Sequence, residues 1–504
     1  MRGKRGIIVG ALALAVGIVS PVQASAVPEI HFVDSVAPND YYSYAMDNSN
    51  SAVLDGWLYT YMDSPDSGGE VWRTNGPTTK LVKDIAPGTN YSNSDDFYTW
   101  KGWVYFRASD LVHGAEIWRT NGKKTEQVCD VRAGGSSFPM GFAGLGDYVY
   151  FRADDGSAGA ELWRTNGSGC NRVDDIYPGP ISSNAFQLTS FKGRLYFSAN
   201  DGTNGAEVWS TNGAGAEMLA DINTGGNSDP RDFTVLGDWM YFAANDGTNG
   251  IELWRTDGTA GNTVMVENIN PTGSSQPTSL YAFDGSIWFA ADDGTTGDEP
   301  YRTDGLSSVI RFDVNESGSD PKGSNPQAFI AAGDLIFFEA YDNDGGRELW
   351  YSDGVMVDQA ADINPGSSGS DPFYYPWGQV VGDYLYFLAA ADGNLYQVHR
   401  INYTTLEEEE IPPPEEGLYA PGGYYCNSCP VTQLVAVGGR VFFAYGDDGS
   451  VYGQEFAYLD EASGDLPNTS RDGGFSPWAF SLALLGAATG YAGLQLARSP
   501  RRRT

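Results

Sequence analysis

Short runs of aromatic and β-branched residues recur along this chain, and a polar, glycine-containing loop follows each run. One example is the run at residues 148–151, which follows a Gly-Asp turn and precedes a polar loop and a second run at residues 161–165. Such runs between Gly, Asn and Asp turns are typical of β-strands. The next two residues, Asn166 and Gly167, tolerate positive φ and predict a tight hairpin. The pattern therefore predicts antiparallel strands, with no helix before the C-terminal segment.

The same unit recurs eight times, with Glu-x-Trp or a close variant at intervals of 45 to 49 residues. The anchor position is held by Trp72, Trp118, Trp163, Trp209, Trp254 and Trp350, and Tyr301 and Tyr396 replace Trp in two units. Each unit continues with a third strand that ends in Asp-Ile and with a weaker fourth segment. Four short strands in roughly 46 residues are typical of one propeller blade. We therefore predict an all-β, single-ring β-propeller, with each anchor Trp packed between adjacent blades. Counting aromatic first strands predicts nine blades; eight is the alternative, with the last unit outside the ring.

The two ends of the repeat array are incomplete in complementary ways. Residues 31–34, which begin with His31, have the pattern of a third strand without the two strands that should precede it. The last unit begins at Gly439 and supplies a first strand and a degenerate second strand at residues 455–458. We predict that the N-terminal strand completes the last blade and closes the ring, because closure hides both sheet edges. The propeller would span residues 27–460.

The repeat resembles the ELWxxDGTxxGT repeat family of bacterial exported proteins. Residues 252–262 read ELWRTDGTAGN and depart from that motif at Asn262, and the resemblance covers most of residues 53–458. The family is defined by its repeat and has no established catalytic residues. The resemblance therefore implies a fold and export, and it implies no reaction.

Both termini have the composition of targeting segments. Residues 1–26 combine a basic start, an apolar stretch and a small-x-small ending at Ala26, which predicts a signal peptide cleaved before Val27. A polar linker at residues 461–474 ends in Gly473 and Gly474, and it precedes an apolar run at 475–497 and a basic tail at 498–504. The apolar run is long enough to cross a bilayer, with the arginines beyond it on the cytoplasmic side.

This tail resembles the GlyGly-CTERM sorting signals of Gram-negative bacteria. The resemblance implies that a rhomboid-like membrane protease cleaves near Gly473 and Gly474 and that the protein reaches the cell surface or the medium. A plain C-terminal membrane anchor is the alternative, and the propeller would then face the periplasm or the exterior. In either case the export machinery is an expected partner.

Charge and cysteine content narrow the class of partner. The chain has 65 acidic and 30 basic residues, which repels nucleic acid and favours cations, basic partners or simple solvation. Four cysteines in an exported protein favour disulfides. Cys426 and Cys429 are close enough in sequence to form a local loop bridge, while Cys129 and Cys170 lie in neighbouring repeats. The first pair lies in an insertion at residues 403–430, whose Glu and Pro content predicts an exposed loop.

Acidic glycine loops are the strongest candidates for a metal site. Calcium prefers six to eight hard oxygen ligands, and Asp-Gly turns present carboxylates and carbonyls together. The first candidates are Asp342 and Asp344, followed by Asp154, Asp155, Asp292 and Asp293. The alternative is that these side chains cap their own turns by bonding the backbone. Calcium is thus the one cofactor that the sequence suggests.

No catalytic residue can be assigned from the sequence. The Glu of Glu-x-Trp occurs in nearly every unit, which indicates a structural role, and a three-histidine zinc centre would require His31, His113 and His399 to converge. We therefore expect an exported, non-catalytic binding or scaffold module for a glycan, a protein or an ion. The alternatives are an extracellular carbohydrate-active hydrolase with channel-facing carboxylates and a calcium-stabilised structural repeat protein. Any site should lie where the repeat fails: at residues 342–344, at Pro300, or in the insertion.

Overall fold

The computed structural model describes residues 29–32, 51–306, 309–314, 323–341, 346–367, 369–373, 378–391, 396–411, 418–420, 424–426, 431–445 and 455–460. Over these residues the chain forms an all-β propeller of nine four-stranded blades. Its helical content in these ranges is the three-residue 3-10 helix Ala260–Asn262. Within the described ranges no helix has the length and apolarity needed to span a bilayer. The predicted signal peptide, Gly473, Gly474 and the apolar tail lie outside the described residues.

Each blade is an antiparallel sheet whose strands follow one another in chain order from the innermost strand outwards. Strand β1 (Glu29–Phe32) precedes blade 1. Blades 1 to 3 contain β2 (Ser51–Leu54), β3 (Trp57–Ser64), β4 (Gly68–Thr74) and β5 (Thr79–Lys83); β6 (Asp95–Trp100), β7 (Trp103–Ser109), β8 (Ala115–Thr120) and β9 (Thr125–Cys129); and β10 (Met140–Leu145), β11 (Tyr148–Asp154), β12 (Ala160–Thr165) and β13 (Cys170–Arg172). Blades 4 to 6 contain β14 (Phe186–Phe191), β15 (Arg194–Asn200), β16 (Ala206–Thr211) and β17 (Ala216–Ala220); β18 (Arg231–Leu236), β19 (Trp239–Asn245), β20 (Ile251–Thr256) and β21 (Val264–Glu267); and β22 (Thr278–Phe283), β23 (Ser286–Asp292), β24 (Asp298–Thr303) and β25 (Ile310–Arg311).

Blades 7 and 8 contain β26 (Gln327–Ala332), β27 (Leu335–Tyr341), β28 (Arg347–Ser352) and β29 (Val357–Ala361); and β30 (Gln379–Val381), β31 (Tyr384–Ala389), β32 (Gln397–Asn402) and β33 (Glu408–Ile411). A separate hairpin, β34 (Leu418–Ala420) and β35 (Tyr424–Cys426), follows blade 8. Blade 9 contains β36 (Val431–Val437), β37 (Arg440–Tyr445) and β38 (Glu455–Asp460), with β1 as its outermost strand.

The ring closes through blade 9, as the two ends of the array predicted. Strand β1 pairs antiparallel with β38, from Glu29 opposite Asp460 to Phe32 opposite Ala457. Blade 9 then packs on blade 1, with Phe442 and Tyr458 in one apolar cluster with Leu58. Both termini of the array thus contribute to a single sheet, and the prediction of nine blades is confirmed.

The anchor Trp residues pack between blades. Trp118 of blade 2 lies in one buried cluster with Val71 and Ile85 of blade 1, and the same arrangement recurs around the ring. The prediction for blade 8 was wrong, because His399 and not Tyr396 occupies the anchor register. His399 lies opposite Phe387, as Trp350 lies opposite Phe338 in blade 7.

In each of blades 1 to 7, a buried glutamate ties the blade to the next one. The carboxylates of Glu70, Glu116, Glu161, Glu207, Glu252, Glu299 and Glu348 are at most 1% exposed. Each accepts a backbone N–H from the residues just beyond the outermost strand of its blade and a donor from the serine that begins the connection to the next blade. We call this arrangement the carboxylate clasp. It explains why the Glu of Glu-x-Trp recurs.

Part of the predicted insertion belongs to the core of blade 8. Residues 408–411 form its outermost strand, β33, and Ile411 is buried. His399 Nδ1 lies 2.6 Å from Glu408 Oε1, and the fully buried Arg400 pairs with Glu409. The expectation of an exposed loop was therefore wrong for this stretch, because cross-strand partners hold two of its acidic side chains.

Candidate functional site

The Asp-Gly loops named for calcium cap their own turns in every case that the structure describes. Asp154 Oδ1 accepts the N–H of Gly156 at 2.7 Å, and Asp155 Oδ1 accepts two N–H groups of the same loop. Asp292 and Asp293 make the equivalent bonds. No group of three His, Cys, Asp or Glu side chains placed to hold a metal occurs in the described residues. Asp342 and Asp344 lie outside them.

Other predicted positions do not converge. Pro300 is buried in β24, opposite Ala290, as part of the sheet core. His113 lies in a loop of blade 2 beside Asp110, at 2.7 Å, and His399 lies in blade 8. His31 is in β1 of blade 9, so the three histidines belong to three different blades.

The structure joins Cys129 and Cys170 in a disulfide between the outermost strands of blades 2 and 3. The side chain of Cys426 and all of Cys429 lie outside the described part of the chain. The disulfide therefore links consecutive blades covalently on the outside of the ring.

The clearest departure from the repeat is a set of exposed apolar side chains on one face of the ring. This face carries the loops between second and third strands and the connections from each blade to the next, because antiparallel order brings those loops to the same end. Five side chains project there from blades 2 to 4 and are 44–75% exposed: Leu111, Val112, Phe138, Ile181 and Phe186. We call them the blade 2–4 surface. In blades 5 to 8, the described loops of this face expose no large apolar side chain.

Two of these residues adopt a left-handed backbone conformation. Phe138 has φ 47°, at a position where the equivalent residues of the other connections are Asn93, Asn184, Asp229, Gln276, Asn325 and Asp371. Leu111 has φ 68°, where the equivalent loops carry Gly156, Gly202, Gly247 and Gly294. A left-handed conformation costs a bulky residue about 1–2 kcal/mol. Strain of this kind is concentrated at functional sites.

The strained connection at Phe138 is held firmly by hydrogen bonds. The backbone N–H groups of Ser137 and Phe138 both donate to the carbonyl of Ala115, at 3.1 and 3.2 Å, and Ser136 Oγ accepts the Ala115 N–H at 3.0 Å. The carboxylate clasp of Glu116 holds Ser137 from the other side. Phe138 is thus presented to solvent by a fixed backbone.

Ionisable residues beside this surface also depart from the repeat. In blade 2, Asp95 lies opposite Arg107, and Arg107 Nε donates to Asp95 Oδ1 at 2.6 Å. In blade 3 the same register places Met140 opposite Arg152. The neighbouring Asp96 is partly buried, and this burial raises the pKa of its carboxyl to about 6; it accepts the Gly141 N–H at 2.6 Å.

Two of these exposed residues can be recognised in the sequence, because they break the pattern of the repeat. Leu111 replaces the glycine of the Asp-Gly loop, and Phe138 replaces the Asn, Asp or Gln that follows the connection serine. The positions chosen from the sequence were acidic residues, whereas the structure draws attention to apolar ones.

No family model matches the chain, and no curated protein does. Among solved structures, it is similar to a chain from a study of two prolyl endopeptidases, with 10% identity and a TM-score of 0.41 over 81% of this chain and 55% of that one. A puromycin hydrolase gives 13% identity and a TM-score of 0.34 over 77% and 63%. This chain thus spans less than two thirds of either structure.

Proposed function

We propose that this protein is an exported, non-catalytic binding module and that a polypeptide partner docks on the blade 2–4 surface. The observation that carries the proposal is the cluster of five exposed apolar side chains, two of them at strained positions. Large apolar side chains exposed together on one face of a protein are typical of an interaction site. The repeat offers unstrained, polar alternatives at both strained positions, and this sector does not use them.

The composition of the surface favours a polypeptide over a glycan or an ion. Leu, Val, Ile and Phe side chains have no polar atom with which to bind sugar hydroxyls. The carboxylates beside them already have partners, since Asp95 pairs with Arg107, and Asp154 pairs with Arg132 at 3.0 Å. An extended segment with apolar side chains would bury the patch and find its polar contacts along the surrounding loops.

Export is supported by three separate features. The N-terminal segment ending at Ala26 has the composition of a signal peptide, and the C-terminal segment has that of a membrane anchor or sorting signal. The Cys129–Cys170 disulfide suits an oxidising compartment. In this proposal the propeller works outside the cytoplasm, and membrane attachment or release depends on processing near Gly473 and Gly474.

Photo-crosslinking in the producing cell tests the binding proposal. A photo-crosslinking amino acid at Val112, which is 75% exposed, should capture a protein. The same group at Val355, which is 85% exposed in a turn of the opposite face, is the matched control. The double variant Leu111→Gly and Phe138→Asn restores the residues of other repeats and should abolish the crosslink. A crosslink that is equally strong at Val355, or that survives the double variant, would refute the proposal.

A second candidate, an extracellular carbohydrate-active hydrolase, is favoured by one observation. Burial raises the pKa of Glu339 in blade 7 to about 7, and burial also raises the pKa of the nearby Asp371. Arg347 pairs with Glu339 at 2.5 Å. Two neighbouring carboxyl groups are the usual equipment of glycosidases, and the charge of Asp371 contributes to the raised pKa of Glu339. Turnover of a glycoside that Glu339→Gln abolishes would establish this function in place of the first.

A further inference from the structure

We infer that Arg152 makes the blade 2–4 surface selective for a partner segment in which an acidic side chain lies between apolar ones. This inference rests on the proposed function and adds the chemistry of the partner. It follows from one difference between two neighbouring blades, in which Met140 of blade 3 stands at the register that Asp95 holds in blade 2.

Blade 2 also has an arginine at this register, and there an acid neutralises it. There Arg107 donates from Nε and Nη2 to the two carboxylate oxygens of Asp95, so the pair carries no net charge. Arg152 occupies the equivalent position in blade 3, but its cross-strand partner is Met140. No carboxylate of the described residues lies within ion-pair distance of Arg152. Its charge is therefore left without a counter-ion.

The hydrogen bonds of Arg152 are also incomplete. Nη2 donates to Asn184 Oδ1 at 3.1 Å, and Nη1 contacts the sulfur of Met140 at 3.4 Å, which is a weak acceptor. Nε is buried and donates to no atom of the described structure. Burial lowers the pKa of Arg152, and the charges of Asp154 and Glu161 oppose that effect from a longer distance. A carboxylate that replaced the sulfur at Nη1 would add a charge-assisted hydrogen bond.

Apolar residues lie on both sides of this guanidinium. Met140 is two residues beyond Phe138, and Asn184 is two residues before Phe186, so the two contacts of Arg152 lead directly to two exposed rings. A carboxylate flanked by apolar groups on either side fits this arrangement. An acidic side chain within a segment meets that requirement, whereas a C-terminal carboxylate has residues on one side only.

Selection from a random peptide library displayed on phage provides the test. Peptides bound by the wild-type full-length protein should be enriched in Asp or Glu flanked by Phe, Leu, Ile or Val. Met140→Asp recreates the ion pair of blade 2 and should remove the acid enrichment while apolar enrichment persists. For one selected peptide, Met140→Asp or a Glu→Gln change in the peptide should each raise Kd by about 10- to 100-fold, and the two changes together should add little to either one.

Controls separate this inference from the proposed function. Arg172 lies on the outermost strand of blade 3, 3.5 Å from Asp155. The control variant Arg172→Met should leave the selected peptides unchanged. Peptides without acid enrichment that still require Leu111 and Phe138 would overturn the role of Arg152 and leave the binding module intact. Failure to select any peptide that depends on Leu111 and Phe138 would overturn both. Arg152-dependent binding of acidic glycans with no such peptide would overturn the polypeptide assignment.

Discussion

The carboxylate clasp makes a strong prediction about a conservative substitution, Glu207→Gln. The Glu207 carboxylate is fully buried and accepts three hydrogen bonds, from Ile222 N at 2.8 Å, Ser228 N at 3.0 Å and Ser228 Oγ at 2.6 Å. Every partner is a donor, so the site requires acceptors on both oxygens. A glutamine of nearly the same shape supplies one acceptor and one donor group, and it therefore places an N–H₂ against a backbone N–H.

The expected loss can be worked from these contacts. If the glutamine oxygen takes the position that faces Ile222 N and Ser228 Oγ, the Ser228 N–H loses its charged acceptor and keeps only the carbonyl of Ala206, at 3.0 Å. The amide N–H₂ of the glutamine is then the buried donor without an acceptor, because it faces another donor. Loss of a hydrogen bond to a charged acceptor costs about 1.5–3 kcal/mol, and an unsatisfied buried donor costs about 1–3 kcal/mol. Burial of the Glu207 carboxylate is itself unfavourable and raises its pKa, and the neutral glutamine avoids this penalty, which offsets part of the cost. We expect a net destabilisation of about 2–4 kcal/mol at neutral pH.

Hydrogen exchange provides the sharpest assay, because the effect is local. Protection of the Ile222 and Ser228 amides should fall by about 30- to 1000-fold, which is the predicted free energy expressed as a ratio. Glu217→Gln is the control, since Glu217 is 68% exposed in the same blade and makes a surface ion pair with Arg194. Blade 8 carries Gln397 at the clasp register, and its Oε1 is buried without a partner among the described residues. Unchanged protection at Ile222 and Ser228 in Glu207→Gln would refute the structural account of the repeated glutamate.

Four further predictions follow from the fold. Burial raises the pKa of Glu70 to about 7, so this group favours the folded state below pH 4.5 and loses that contribution as pH rises to about 7; Glu70→Gln should flatten this part of the unfolding free energy against pH. Replacing Cys129 and Cys170 with serine opens a 41-residue loop and should lower the free energy of unfolding in denaturant by up to about 4 kcal/mol. Reduction of the wild-type protein should lower it by the same amount. Asp246→Ala removes caps at Thr248 and Asn249 and should lower stability by about 1 kcal/mol; a loss seen only with calcium would instead identify a metal ligand. Phe138→Asn should raise the melting temperature, because it relieves left-handed strain, and a lower value would show that Phe138 serves the fold.

The architecture was largely readable from the sequence, since it depends on features that repeat. The period gave four strands per blade, and the incomplete unit at Gly439 together with the strand around His31 gave closure of the ring. The prediction of an exposed loop at residues 408–411 was wrong for a local reason. Composition cannot show that Glu408 and Glu409 pair with His399 and Arg400, because cross-strand partners are defined only once the register is known. For the same reason the sequence predicted Tyr396 at the anchor position of blade 8, which His399 occupies.

The candidate site was harder to predict, because it consists of positions at which the usual residues of the repeat are replaced. Leu111 and Phe138 can be recognised as replacements in an alignment of units, but their exposure depends on how the loops fold. Arg152 looks ordinary in the sequence, where arginine follows the aromatic run in blade 2 as well. Only the pairing of strands shows that Arg107 has an acid opposite and Arg152 has a methionine.

Three replacements in one sector carry a cost, and two of them, Leu111 and Phe138, are exposed. The bulky apolar residues with left-handed backbone in other blades, Phe373 and Leu406, pack against the core instead. Leu111 and Phe138 adopt a backbone conformation that suits glycine or asparagine, and Met140 leaves Arg152 without a counter-ion. Each would be a minor fault if it occurred alone, and faults of independent origin would be scattered among the nine blades. Their concentration on adjoining loops of one face indicates a common cause, since local rules are broken in natural proteins mainly where function requires it. A partner that buries the rings and neutralises the arginine would compensate all three costs at once.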